Sequence, residues 1–134
     1  MSAETKVILV VDDRDDWRET ILMTIETSGH RVEAFSNAET AIQFIKQNPF
    51  DLAIIDQRLD ESNEEDKFGL ELAKIIKETH PQIPILIITG YPSIETIEQA
   101  RKADESGQRL ATRYILKDEN VMDKLLKAVR ETLS

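Results

Sequence analysis

Short apolar runs alternate along the chain with longer stretches in which apolar residues recur every three or four positions. Val7-Ile8-Leu9-Val10-Val11 has no polar position, and a run of that kind is a strand covered on both faces. From Arg14 to Ser28 the apolar residues Trp17, Ile21, Leu22 and Ile25 fall on one helical face, and Gly29 stops the helix. Arg31–Phe35 reads as a second strand. Asn37 is placed to cap a helix with Ala38, Ala41, Ile42 and Ile45 on its inner face, ending near Asn48-Pro49. Asp51–Ile55 is a third strand, closed by Asp56. Phe68–Thr79 is helical through Leu72, Ile75 and Ile76, and Pro81 and Pro84 bracket a turn. Ile85–Ile88 is the fourth strand and ends at Thr89-Gly90. Ser93 caps a helix carrying Ile94, Ile97 and Ala100. Thr112–Leu116 is the fifth strand, ending at Lys117, and a last helix runs from about Val121 to Leu133 with Leu125, Val129 and Leu133 in a stripe.

Five strands, each followed by a helix, predict an α/β fold: a parallel sheet with helices on both faces. Val7–Val11, Leu52–Ile55 and Ile85–Ile88 are its expected centre. Asp60–Lys67, with five acids, and Asp104–Gln108 interrupt the alternation and read as loops. A length of 134 residues fits a single domain over 1–134. The absence of cysteine excludes a zinc ribbon, an iron–sulfur protein and a disulfide scaffold. A net charge of −9 argues against direct nucleic-acid contact, which needs a basic face. Val7–Val11 is too short for a signal or membrane segment, so a cytoplasmic protein with no membrane partner is expected.

In open α/β sheets ligands bind outside the carboxyl ends of the strands. Those ends carry Asp12-Asp13, Asp56, Thr89-Gly90 and Lys117. Three carboxylates drawn to one rim need a cation to neutralise them. An oxygen-only set without His or Cys suits a hard ion such as Mg²⁺. A lysine and a hydroxyl beside them could hold phosphoryl oxygens, as phosphoryl transfer onto a carboxylate requires.

Val10-Val11-Asp12-Asp13, Asp51-Leu52-Ala53-Ile54-Ile55-Asp56, Ile87-Ile88-Thr89-Gly90 and Tyr114-Ile115-Leu116-Lys117, in that order, resemble the motifs of a response-regulator receiver domain, the CheY-like phosphoacceptor module of two-component signalling. The resemblance covers about Lys6 to Leu133. It implies a doubly wound (βα)5 flavodoxin-like fold with strand order 2-1-3-4-5. It implies Asp56 as the phosphoacceptor, and Asp12 and Asp13 as the acidic pair holding Mg²⁺ with Asp56 and the backbone carbonyl of Arg58. Thr89 and Lys117 would contact phosphoryl oxygens, Tyr114 would be the switch aromatic that follows Thr89, and Arg58 and Tyr91 would tune the rate of phosphoryl loss. Gly90 would leave room for a partner's phosphohistidine. The implied partners are a histidine kinase or histidine phosphotransfer protein upstream, and a downstream protein target or an output domain outside this chain. Such a domain is a switch rather than an enzyme: it catalyses only its own phosphorylation and slow autodephosphorylation.

Three departures from the family pattern matter. Asp118 stands where a proline usually follows the lysine. A non-proline cis bond costs about 2.5–4 kcal/mol, so a trans peptide is expected, with Lys117 approaching the site differently or pairing partly with Asp118. Asp60 replaces another common proline, and the segments after Asp56 and Thr89 are longer than usual, which puts an ordinary output surface in question. The same residues also have plainer uses. Asp12-Asp13 could cap the first helix, Asp15 and Asp16 serve its dipole, and Trp17 packs near the site, where it can report on metal by fluorescence. Two other functions fit less well: a docking module that is never phosphorylated, and a Mg²⁺-dependent phosphatase with an aspartyl nucleophile. The phosphatase would need a second acid where Arg58 stands.

Overall fold

The computed structural model describes residues 5–57, 68–90, 97–98, 101 and 109–133. Each apolar run becomes a strand: β1 (Val7–Val11), β2 (Arg31–Phe35), β3 (Leu52–Asp56), β4 (Ile85–Thr89) and β5 (Arg113–Leu116). Four helices, α1 (Asp15–Thr27), α2 (Ala38–Gln47), α3 (Phe68–Thr79) and α4 (Val121–Leu133), are complete among the described residues. All five strands join one parallel sheet in the order β2-β1-β3-β4-β5. This is the doubly wound, flavodoxin-like arrangement. The chain leaves β1 toward β2 on one side and returns to β3 on the other, which opens a crevice at the carboxyl ends of β1 and β3.

The strands built from the three apolar runs occupy the centre, as those runs require. β3 and β4 are buried along their whole length, and β1 beyond Val7. Alternation along each strand divides the core in two. Leu9, Val11, Ala53, Ile55, Ile85 and Ile87 pack with Ala41 and Ile45 of α2 and Leu72 and Ile76 of α3. Ile8, Val10, Leu52, Ile54, Leu86 and Ile88 pack with Ile21 and Ile25 of α1 and Leu125 and Val129 of α4. The period of two therefore decides which side of the sheet every strand-end residue faces.

Local chemistry sets the element ends. Asn37 caps α2, its Oδ1 accepting from the Thr40 N–H at 2.9 Å. Gly29, at φ 96°, takes the left-handed turn that ends α1, and its N–H donates to the Glu26 carbonyl. Several ends differ by a residue from the pattern's expectation. α1 starts at Asp15 because Arg14 is extended. Asp51 stays outside β3, where its carboxylate accepts from the Val7 N–H at 2.8 Å. Asp56 and Thr89 are the last residues of their strands rather than the residues after them. Thr112 precedes β5, and its Oγ1 accepts from the Ile85 N–H at 3.3 Å. The acidic stretch 60–67, the Ser93 cap and the connection 104–108 lie outside the described residues. Ile97, Glu98 and Arg101 are helical, as expected for the helix following β4. No helix among the described residues is long and apolar enough to cross a membrane.

Candidate functional site

Because the strands are parallel, their carboxyl ends share one rim, and that rim gathers the charged residues. Asp12 and Asp13 follow β1, Asp56 ends β3, Thr89 ends β4 and Lys117 follows β5. Asp12, Asp56 and Thr89 are buried. One carboxylate oxygen from each of Asp12, Asp13 and Asp56 lies within 4.8 Å of the others. Three carboxylates this close repel one another, and the protein's own answer is Lys117. Its Nζ lies 2.9 Å from Asp56 Oδ2 and 3.0 Å from Asp12 Oδ2, with only 4% of its side chain exposed. Burial alone would lower the Lys117 pKa, but the Asp56 and Asp12 carboxylates outweigh it and hold it above the ordinary lysine value. The ammonium also sits 4.8 Å from the centre of the Trp17 ring, a cation–π contact that closes the site from the α1 side.

The backbone fixes these groups. The Asp12 N–H donates to the Phe35 carbonyl at 3.1 Å, and the Lys117 N–H to the Thr89 carbonyl at 2.8 Å. Asp12 Oδ1 accepts from the N–H of Arg14, the extended residue before α1, at 3.0 Å, which fixes the turn into the helix but caps none of its first-turn N–H groups. Asp15 and Asp16 stay in the first turn of α1, paired with Arg18 and Arg14, and the Arg14 side chain lowers the Asp16 pKa. The described peptide bonds are all trans, Lys117–Asp118 among them. Of the two alternatives for Lys117, a partial pairing with Asp118 is not what forms. Asp118 instead pairs with Lys124 at 2.5 Å and accepts from the Asn120 N–H at 2.9 Å. Its side chain braces the start of α4 and leaves Lys117 to the acids. Gly90 is exposed, and a Cβ built on it meets nothing within 4 Å. Arg58 and Tyr91 lie outside the described residues. His30 and His80, given no role from sequence, make local structural contacts: His30 Nδ1 accepts from the Lys6 N–H at 3.3 Å, and His80 bonds the Ile45 carbonyl and stands edge-on to Phe50.

Two residues not singled out by the sequence pattern belong to the site's frame. A Cβ on Gly69 would lie 2.1 Å from the Asp56 carbonyl oxygen and 2.6 Å from Gln57 Cα, so only glycine lets α3 start against the end of β3. Gln57 is buried, and its side-chain oxygen accepts a hydrogen bond from the Tyr114 hydroxyl. Tyr114 is half-buried on the edge strand, as expected, with its hydroxyl directed inward.

The donor set fits a hard divalent cation: it is oxygen only and carboxylate-rich, with Lys117 beside it. Comparison with known proteins agrees with this chemistry. The family model for the response regulator receiver domain matches residues 8–130. The transcriptional regulatory protein ZraR of Klebsiella oxytoca is 36% identical over 135 residues; the match takes in all of this chain but 28% of that protein's length. A CheY-like receiver domain protein from Methanospirillum hungatei superposes with a TM-score of 0.79 at 27% identity, over 97% of this chain and 94% of that one. A response regulator from Burkholderia pseudomallei, solved with a phosphorylated aspartic acid, a calcium ion and citrate, superposes with a TM-score of 0.72 at 28% identity, over 96% of this chain and 66% of that one. With matching sequence motifs, strand order and acidic rim, the chain belongs to the response-regulator receiver domains of two-component signalling.

Proposed function

We propose that the domain is a phosphoryl-accepting switch with Asp56 as acceptor. The observation that carries this reading is the Asp12–Lys117–Asp56 bridge at the rim, beside Asp13. It holds the Asp56 carboxylate fixed and next to a cation. The donor is a phosphohistidine of a histidine kinase or histidine phosphotransfer protein. An Asp56 oxygen attacks phosphorus, the P–N bond breaks, and the donor imidazole keeps the electron pair. Asp12, Asp13 and Asp56 would hold Mg²⁺, with the Arg58 carbonyl as a further ligand, and the ion would offset the charge of the incoming phosphoryl group. Lys117 supplies an ammonium to a phosphoryl oxygen and Thr89 a hydroxyl, so the chain's own contribution is positioning and charge. Hydrolysis of the acyl phosphate, slow and tuned by Arg58 and Tyr91, resets the switch. Apart from these two steps on Asp56 the domain is not an enzyme. Residues 1–134 are read as one receiver unit, acting through a downstream protein target or an output domain beyond it.

The test is a titration with Mg²⁺ followed by beryllofluoride, a phosphoryl mimic. Trp17 fluorescence is expected to change with Mg²⁺, and backbone NMR shifts with beryllofluoride to centre on Asp56. Absence of both responses contradicts the reading.

A further inference from the structure

We propose that Gln57 is a positioning residue that ties the acceptor to Tyr114, so that the state of Asp56 reaches β5 through the very next residue in the chain. The inference rests on Asp56 being the acceptor. Gln57 is 3% exposed and is held on three sides. Its N–H donates to the Ile88 carbonyl of β4 at 2.8 Å, and its carbonyl accepts from the Gly69 N–H of α3 at 2.9 Å. Its side-chain oxygen accepts from the Tyr114 hydroxyl of β5. β3 and β5 are not neighbours, so this side-chain bond passes across the end of β4, where Thr89 stands.

The bond has a reason to persist and a reason to matter. A buried amide oxygen that loses its partner is costly, so Gln57 favours the inward position of the Tyr114 hydroxyl. The Tyr114 ring packs against the core shared by α2 and α3, and Tyr114 also lines a cleft of about 570 Å³ together with Arg109, Arg113, Lys124 and Lys127, cations that outnumber the one acid there among the described residues, Glu131, the partner of Arg113. The cleft is basic in a chain of net charge −9. Moving Tyr114 therefore changes the wall of a basic cleft on the outside of the domain. Asp56 and Gln57 share a peptide, and Gln57 bonds the Tyr114 hydroxyl, so a shift of the Asp56 backbone on phosphorylation would be passed to Tyr114 through Gln57. This connection is separate from the Thr89 hydroxyl, and Gln57→Met, similar in size but without the amide acceptor, removes it while leaving Thr89 in place.

The experiment uses the whole chain with ring-labelled tyrosine, the Tyr114 signal being assigned by its absence in Tyr114→Phe. Wild type and Gln57→Met are compared with and without Mg²⁺ and beryllofluoride, while Trp17 fluorescence separately reports occupancy of the acceptor site. Without beryllofluoride, Gln57→Met is expected to raise the exposure of the Tyr114 ring to a soluble paramagnetic probe about threefold or more, the population change that loss of one hydrogen bond allows. With beryllofluoride, the Tyr114 shift seen in wild type is expected to fall below about a third, with the Trp17 response keeping its affinity within about twofold. From the other end, in a folded Tyr114→Phe protein, the Gln57 side-chain amide signal should lose its beryllofluoride response. A Tyr114 signal identical in wild type and Gln57→Met in both states overturns the coupling while the Trp17 response leaves the acceptor reading standing. A wild type whose Trp17 and Asp56 signals ignore beryllofluoride overturns the acceptor reading, and the coupling with it.

Discussion

The two sides of the sheet meet at one rim and are built in opposite ways. Toward α1 and α4, Asp12, Asp56 and Lys117 form a buried charged bridge capped by the Trp17 ring. Toward α2 and α3, Gln57 and Tyr114 form a neutral hydrogen bond over an apolar core. Strand alternation is enough to separate them: Ile54 and Asp56 fall on one side, Ile55 and Gln57 on the other. The charged side is fixed by Coulomb attraction in a poorly solvated place and is built to receive charge. The neutral side is held by a bond worth about 1 kcal/mol and is easily shifted. One peptide, between Asp56 and Gln57, is the border.

That contrast breaks most completely at Asp56, the proposed acceptor. Asp56→Asn keeps the side chain's size but removes the nucleophilic carboxylate, and incorporation of labelled phosphoryl from acetyl phosphate is expected to vanish. Lys117→Met comes next, because it leaves Asp12 and Asp56 buried together without their cation. Urea unfolding should show a loss of about 3 kcal/mol, part of it recovered by millimolar Mg²⁺. Gly69→Ala attacks the border itself by forcing a Cβ onto the Asp56 carbonyl; unfolding should show a loss of about 2 kcal/mol, with slower phosphorylation. Trp17→Leu removes the cation–π contact together with part of the ring's packing on the core shared by α1 and α4, with an expected cost of about 1 kcal/mol by the same assay. The smallest effect is with pH. The folded pKa of Lys117 lies above its ordinary value of 10.5, so the stabilisation it gives is complete below that value and is lost as pH rises through the folded pKa. The gap in stability between wild type and Lys117→Met should stay level from about pH 7 to 10 and narrow only above that.

Much of the fold was legible because apolar runs and helical stripes are local signals, and the sheet buries the strands built from the three apolar runs where such runs must go. The charged side of the site was legible for a related reason: Asp12, Asp56 and Lys117 each stand at the end of a strand, and parallel strands bring those ends together. The order of the strands was not in the periodicity and came from the resemblance. The neutral side was hidden because Gln57 and Tyr114 are 57 positions apart, and an amide after a strand has no pattern of its own. Gly69 was hidden too, since its need for glycine arises from backbone on another element. The partner of Asp118 was left open by the sequence, because adjacency offers Lys117 while the first turn of α4 brings Lys124 back onto it.

The central claim is that Asp56 is the acceptor on a metal-dependent rim. Its most direct test is intact-mass spectrometry after incubation with acetyl phosphate, on wild type with Mg²⁺, wild type with a chelator, and Asp56→Asn with Mg²⁺. The expected result is a single added phosphoryl group in the first sample and none in the other two. An unmodified wild type, or equal phosphorylation of Asp56→Asn, would contradict the account.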